Sequence, residues 1–289
     1  CCNKAAWGKI VAGKIAYVMS RFPHLPETFI LREMNALENL GWEIALYPLI
    51  TQQQAVVHNE ARTWVRRSHN LPFLSMAGIR ANFQTFFRQP ILYVTLWFQV
   101  VLGNLLNPKF LFRALILFPK AVHMASEMTR EGVEHIHAHY ATHPALAAWI
   151  IHRLTNLSYS VTVHAHDIFV RQTMLKTKLG EAAFVVPISQ FNQQFLEETV
   201  GLESRDAMPV IHCGIEPAWY SRNEQDASRN EIFEIINVGS LQSYKGHMYL
   251  LEACLLLKQL GVPFRCRIIG EGKQRINLED YISKHDLKQ

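Results

Sequence analysis

The sequence predicts an α/β fold, built on mostly parallel sheets in two domains, and three observations carry that prediction. Short β-branched runs alternate with amphipathic segments along most of the chain. Several of those runs end in ionisable residues or glycines, as expected where a buried parallel strand opens into a crevice. One polar stretch, residues 216–231, breaks the alternation, and a fresh strand, loop and helix series follows it. With 289 residues, 49% of them hydrophobic and 18% charged, the chain can bury more than one ordinary core.

The first domain is expected over residues 14–215. Residues 14–19 (KIAYVM) read as a strand and SRFPHLPE as the loop after it. A helix over 27–40 follows, because Ile30, Met34 and Leu37 recur at helical spacing, Pro26 suits a first turn and Gly41 supplies the stop. Residues 42–50 (WEIALYPLI) close the opening βαβ unit as a second strand.

A helical insert is expected at about 55–130. Inside it residues 89–108 carry no charge, and the apolar core ILYVTLWFQVVLGNLL is too short and too interrupted for a membrane span. Two readings stand side by side: a buried helix of the insert, and a face lying on a bilayer. No Asp or Glu occurs between Glu60 and Glu127, whereas Arg62, Arg66, Arg67, Arg80, Arg88, Lys109, Arg113 and Lys120 all do. Phe83, Phe86, Phe87, Tyr93, Trp97, Phe98, Phe110, Phe112 and Phe118 are interleaved as exposed-looking aromatics. Basic and aromatic together suit an anionic membrane surface better than a nucleic-acid groove.

Beyond the insert the alternation resumes. Residues 134–140 (EHIHAHY) are a strand, Thr142 and Pro144 start a helix striped by Leu146, Ile150 and Leu154, and 159–167 (YSVTVHAHD) is a strand ending in two histidines and an aspartate. A helix near 171–180, strand 184–188, helix 191–200 and strand 210–213 complete the domain. After the 216–231 linker, residues 232–289 give strand 232–238, loop GSLQSYKG, helix 247–260 with Gly261 at its end, strand 264–269, loop GEGK and a last helix. Two strands cannot close a sheet, so this second domain is expected to be incomplete. The lack of an initiator Met points to a trimmed or partial start, and CCNKAAWGKIVAGK has no apolar leader segment. Cys1, Cys2, Cys213, Cys254 and Cys266 form no CxxC pair, which favours a reducing compartment.

Three loops at strand ends carry chemistry. In GSLQSYKG the glycines allow close backbone approach, and Lys245 sits just before a helix N-terminus, where dipole and ammonium both favour a phosphate. GEGK repeats a glycine turn into a helix, and the pair favours a nucleotide or diphosphate. The third is His164, His166 and Asp167, beside His135, His137 and His139 on the neighbouring strand. Alternating histidines raise a metal cluster, but no downstream segment offers a matching ligand set, so packed or hydrogen-bonded roles are expected for His135 and His137.

Taken in order, MSRFPHLPETFILREMNAL, HIHAHYATHPALAAW, VTVHAHDIF, VGSLQSYKG and IIGEG resemble the retaining family 4 glycosyltransferases of the GT-B fold, most of all those of exopolysaccharide and colanic-acid biosynthesis. The resemblance covers nearly the whole chain. It implies two Rossmann-like domains, an acceptor side first and a nucleotide-sugar side second, with a UDP- or GDP-sugar donor and a glycan or lipid-linked acceptor. It implies catalytic roles for His164 and Asp167, donor contacts from Gly239, Ser240, Lys245, Gly270 and Gly272, and acceptor-side contacts from Ser20, Arg21, His24 and Glu27. His164 would lie against the transferred sugar and Lys245 would pair with the diphosphate, with no metal and no cofactor. The expected place is cytoplasmic, on the inner face of the membrane, with no nucleic-acid partner. Two departures stand out: Ser240 occupies a position where many members have a diphosphate-clamping arginine, and the family's glutamate pair is expected beyond Gln289. Glu271 and Glu279 have its seven-residue gap but lie in the wrong loop. Little activity is therefore expected from these residues alone. A non-catalytic membrane-associated binding protein and a metal-dependent hydrolase are the alternative readings.

Overall fold

A computed structural model describes residues 13–23, 28–52, 59–170, 172–202, 208–215 and 232–288. The chain divides into two compact units, residues 1–215 and 216–289. The 216–231 stretch read as a linker lies outside the described residues, as do His24 and Glu27.

Unit 1 is built on a five-stranded sheet, β1 (Lys14–Phe22), β2 (Glu43–Thr51), β3 (His135–His139), β4 (Ser158–Val163) and β5 (Phe184–Pro187), all parallel in the order β2-β1-β3-β4-β5. Alternation along the strands sends Ala16, Val18, Ile136, Ala138, Val161 and Val163 to one face, and Tyr17 and Met19 to the other. The first face is covered by α5 (Pro108–Arg130) and α6 (His143–Thr155), the second by α1 (Thr28–Asn39) and α2 (Asn59–Arg67). This is a doubly wound sheet whose order reverses between β1 and β3. Ligand crevices of such sheets lie beyond the carboxyl ends of the strands at that reversal.

The insert comprises α2, α3 (Met76–Arg88), α4 (Pro90–Asn104) and the first turns of α5. Asn82 ties it together: its amide donates to the carbonyls of Gly78 (2.8 Å) and Pro119 (2.9 Å), and its oxygen accepts from Tyr93 (3.0 Å). The reading of residues 91–106 as a buried helix does not hold, since only Leu96, Val100 and Asn104 of α4 are buried. Among the aromatics read as exposed, Phe110 and Phe118 are instead core residues of α5.

Local differences from the sequence expectations have simple causes. β1 continues through Arg21 and Phe22, whose neighbours on β2 are Ile50 and Thr51, so Ser20 and Arg21 are strand residues and not loop residues. β4 ends at Val163, and residues 165–169 form the short helix α7 (Ala165–Phe169); His164 is its N-cap and exposed His166 sits within it. Residues 210–213 form no strand: Ile211 donates to the Pro187 carbonyl (3.1 Å), but Pro187 has no N–H to return. The remaining helices of unit 1 are α8 (Leu175–Gly180) and α9 (Gln190–Val200).

Unit 2 has two parallel strands, β6 (Phe233–Val238) and β7 (Phe264–Ile269), with α10 (His247–Gln259) and α11 (Arg275–Lys284). Leu241, Leu251 and Leu278 form its small core.

Candidate active site

In unit 1 the polar side chains gather at the β1/β3 reversal. The sheet face beneath α1 carries His135, His137 and His139 from β3 and Ser158, Ser160 and Thr162 from β4, because both strands put these residues on the same side. They interlock: His135 Nδ1 lies 2.8 Å from Ser158 Oγ and its Nε2 2.7 Å from Ser160 Oγ, while His137 bridges Ser160 (2.7 Å) and Thr162 (3.0 Å). The hydrogen-bonded role read for His135 and His137 is the one observed.

At the carboxyl end of this strip stands Glu33 from α1. Its Oε1 accepts from Tyr17 (2.7 Å) and lies 3.5 Å from His137 Nε2 and 3.4 Å from His139 Nε2. Burial pushes the carboxyl upward, but the imidazoles of His139 and His137 and the Tyr17 hydroxyl outweigh it and hold Glu33 down to about 2. Burial lowers His137 to about 3, aided by His139 and opposed by Glu33, so its ring is neutral. Glu33, His137 and His139 each offer a ligand atom within 4.8 Å of the others, enough to hold a cation or a proton. Sequence reasoning missed Glu33, which no spacing rule links to β3; only the packing of α1 over the sheet joins them.

His164 is buried beside this group, with its ring 5.0 Å from Phe29, 4.5 Å from Tyr140 and 6.0 Å from His139. Tyr140 has φ 77°, a left-handed conformation uncommon for a non-glycine residue. His164 and Asp167 form a capping box in which the imidazole accepts from the Asp167 N–H and the carboxylate accepts from the His164 N–H (2.8 Å). His164 Nε2 has no hydrogen-bond partner among the described residues. Burial, then the nearby His139, lowers His164 to about 4 against the pull of Glu33. The strand end therefore presents one buried ring nitrogen that no described residue engages.

Asp167 points inward. Besides His164 it accepts from Ala141 N–H (2.6 Å), and the buried Lys178 ammonium donates to the Ala141 carbonyl. Burial raises the carboxyl to about 6, although the backbone donors and Lys178 pull it back, and burial lowers Lys178 to about 7. The pair locks the turn after β3 to the turn after β4, a positioning role that fixes His164.

In unit 2 the two glycine loops are laced to each other. Gly239 N–H donates to Ile269 (3.0 Å), Leu241 N–H to Glu271 (2.9 Å) and Gln274 N–H to Leu241 (3.0 Å). A Cβ on Gly270 would lie 1.8 Å from the Gly239 carbonyl oxygen, and one on Gly272 2.4 Å from that of Leu241. Those glycines are demanded by loop-to-loop contact. Gly239 is different, with only His247 Nε2 at 3.9 Å from its Cβ position. Ser240 and Lys245 are exposed; Lys245 ends a 3-10 turn over residues 243–245, and Gly246, at φ 73°, opens α10 with no side-chain cap. The uncapped amides and Lys245 together make a place for an anion. Buried His247, whose Nδ1 is unpartnered, borders the same loop and was not singled out in the sequence. Glu271 and Glu279 both pair with Arg275, as expected if their spacing is incidental.

Residues 222–289 match the family model of the glycosyl transferases group 1. The chain is 23% identical over 292 residues to a putative colanic acid biosynthesis glycosyltransferase of Escherichia coli (strain K12), across 95% of this chain and 68% of that protein. Its fold matches the crystal structure of a glycosyltransferase from Rickettsia africae ESF-5 with a TM-score of 0.64 at 16% identity, over 97% of this chain and 67% of that one. An Anabaena protein solved in complex with UDP-glucose matches with a TM-score of 0.62 at 13% identity, over 96% and 67%. The fold is thus that of the GT-B glycosyltransferases, and the group 1 match falls on unit 2, which holds the Lys245 loop.

Proposed function

We propose that this protein transfers a sugar from a UDP- or GDP-sugar to a glycan or lipid-linked acceptor, with retention of configuration, in cell-surface polysaccharide biosynthesis on the cytoplasmic side. One observation carries the reading: the segment matched by the group 1 glycosyl transferases opens a helix with uncapped amides beside the exposed Lys245, the chemistry a departing diphosphate requires.

In such a transfer the bond from the anomeric carbon to the diphosphate oxygen breaks, and the electron pair leaves with the diphosphate. The acceptor oxygen bonds to the same face of the sugar, and its proton passes to the departing diphosphate oxygen. Lys245 and the α10 amides would stabilise the charge growing on the diphosphate, with Gly239 and Ser240 beside it and Gly270 and Gly272 holding the loops. Ser240 adds one neutral hydrogen bond where an arginine would add a charged fork. In unit 1 the neutral His164 would offer its Nε2 to a sugar hydroxyl and orient it. Its ring has no carboxylate hydrogen-bond partner among the described residues to make it a nucleophile's base. Asp167 acts through His164, and Ser20 and Arg21 at the end of β1 would meet the acceptor or the diphosphate. Lysine and helix amides supply the positive charge in this scheme, so no metal is required at the diphosphate.

Calorimetric titration of the protein with UDP-glucose and GDP-mannose, followed by NMR of any product's anomeric proton, tests the proposal. Binding of one donor that weakens in Lys245→Met supports it; inversion at the anomeric centre removes the retaining mechanism, and no binding of any nucleotide-sugar removes the transferase reading.

A further inference from the structure

The insert of unit 1 leaves a large apolar surface whose chemistry the transfer reaction does not use. On α3, Met76, Ile79, Phe83 and Phe87 recur at helical spacing and all are exposed; on α4, Ile91, Val94, Phe98 and Leu102 do the same. Phe83 packs on Phe87 within the α3 stripe (4.4 Å), Phe86 of α3 meets Tyr93 of α4 edge-on (5.7 Å), and Leu106, which is fully exposed, and Phe112 on α5 add further exposed apolar side chains. A monomer ordinarily shows contiguous apolar patches of no more than roughly 300–600 Å². These helices are well anchored from behind by Asn82 and by Gly103, which lies so close to Met174 that a Cβ there would meet its side chain at 2.5 Å.

The charges around this surface have one sign. Arg80, Arg88, Lys109 and Arg113 are exposed at its margins, and residues 61–126 contain no acid at all. Trp97 lies among the apolar side chains with its ring edge-on to Phe98. An apolar face with an indole and a cationic rim complements an anionic lipid bilayer, and the lack of any acid argues against a basic protein partner or a simple mixed-charge interface. No helix among the described residues is long and apolar enough to cross a membrane. At 1.5 Å per residue α4 is only about 22 Å long, short of the roughly 30 Å hydrocarbon core. The geometry suits helices lying in the plane of the interface.

A groove of about 570 Å³ opens in the same face, walled by Phe73, Ile79, Phe83, Phe86 and Tyr93. Its floor holds Lys120, whose ammonium donates to the Leu49 carbonyl (2.6 Å) and sits 4.4 Å over Phe73. This groove gives a hydrocarbon chain room to lie between α3 and α5.

We infer that the α3–α4 platform and the start of α5 form a monotopic docking face that seats this protein on an anionic bilayer, with apolar side chains in the acyl boundary and the arginines at the headgroups. The inference rests on unit 1 alone and holds whatever the donor or the acceptor is.

Flotation of the purified chain with phosphatidylcholine vesicles and with vesicles enriched in phosphatidylglycerol, at low and high salt, tests it. The expected result is capture by the anionic vesicles, weakened but not abolished by salt. The triple substitution Phe83→Ser, Trp97→Ser and Leu102→Ser should lower the bound fraction about tenfold or more while leaving the urea midpoint unchanged, because all three side chains are exposed. Arg80→Glu with Arg88→Glu should erase the preference for anionic lipid. Lipids brominated on their acyl chains should quench Trp97 fluorescence, and Trp97→Phe should remove that increment. Absence of flotation with either vesicle, or flotation untouched by the triple substitution, overturns the inference. So does a dimer in solution that the triple substitution dissolves without any effect on lipid binding, since a second copy would then cover the face.

Discussion

Replacing Asp167 by alanine probes the mechanism that fixes His164. The carboxylate accepts two buried backbone N–H groups, from Ala141 at 2.6 Å and His164 at 2.8 Å, and its charge faces the buried Lys178. Each hydrogen bond to a charged group contributes about 1.5–3 kcal/mol, so about 3–5 kcal/mol is the expected loss for the two. In a unit of this size that lowers the melting temperature by about 10 °C. Lys178→Met alone should also destabilise, but the double variant Asp167→Ala, Lys178→Met should lose less than the sum of the two, because each single variant strands the other charge. Urea unfolding of the four proteins at neutral pH measures the cycle. A loss below about 1 kcal/mol for Asp167→Ala, or strict additivity in the double variant, would refute the view of Asp167 as the lock between the two turns.

Other expectations follow from the same geometry. His137 and His164 titrate at about 3 and about 4 in the folded chain and near 6.5 when unfolded, so the unfolded chain binds more protons between those values and stability rises with pH there. For His164 the contribution is about 3 kcal/mol, complete above pH 6.5 and lost as pH falls toward 4; urea midpoints from pH 7 to 4.5 should fall, and less so in His164→Phe. Glu33, held down to about 2, adds a second loss in the same direction below pH 4.5. His164→Ala should cut turnover about 10²–10³-fold if its Nε2 meets charge in the transition state, with a smaller change in donor affinity. Lys245→Met should weaken nucleotide-sugar binding about 10- to 100-fold in calorimetry. Gly270→Ala, whose new methyl would meet the Gly239 carbonyl, should part the two loops and lower the unfolding midpoint of unit 2, whereas Gly239→Ala has room and should leave it near wild type.

Residues 14–19, 134–140 and 159–167 were legible as strands because parallel strands buried on both faces read as short β-branched runs, and the strands are found within a few residues of their expected ends. The extra length of β1, which takes in Ser20 and Arg21, was hidden because their polar side chains interrupt the run while their backbone still pairs with β2. Residues 91–106 left two burial readings open, since their few polar residues mark no continuous solvent face; only one narrow stripe of α4, Leu96, Val100 and Asn104, is buried, and most of the helix is left exposed.

By itself the sequence determined the α/β class, the division of the chain, the strand ends that carry His164 and Lys245, and the one-sided charge of the insert. These depend on local periodicity and on glycine and proline chemistry, which neighbouring residues report. The tertiary structure alone decided what those residues do to one another. Glu33 meets His137 and His139 only because α1 folds over β3, and Asp167 turns inward because Ala141 and Lys178 arrive from distant segments. Gly270 and Gly272 serve a neighbouring loop that the sequence places about thirty residues away. Such contacts join residues far apart in the chain, so burial and charge state at the site were set by packing and had no signature in the order of residues.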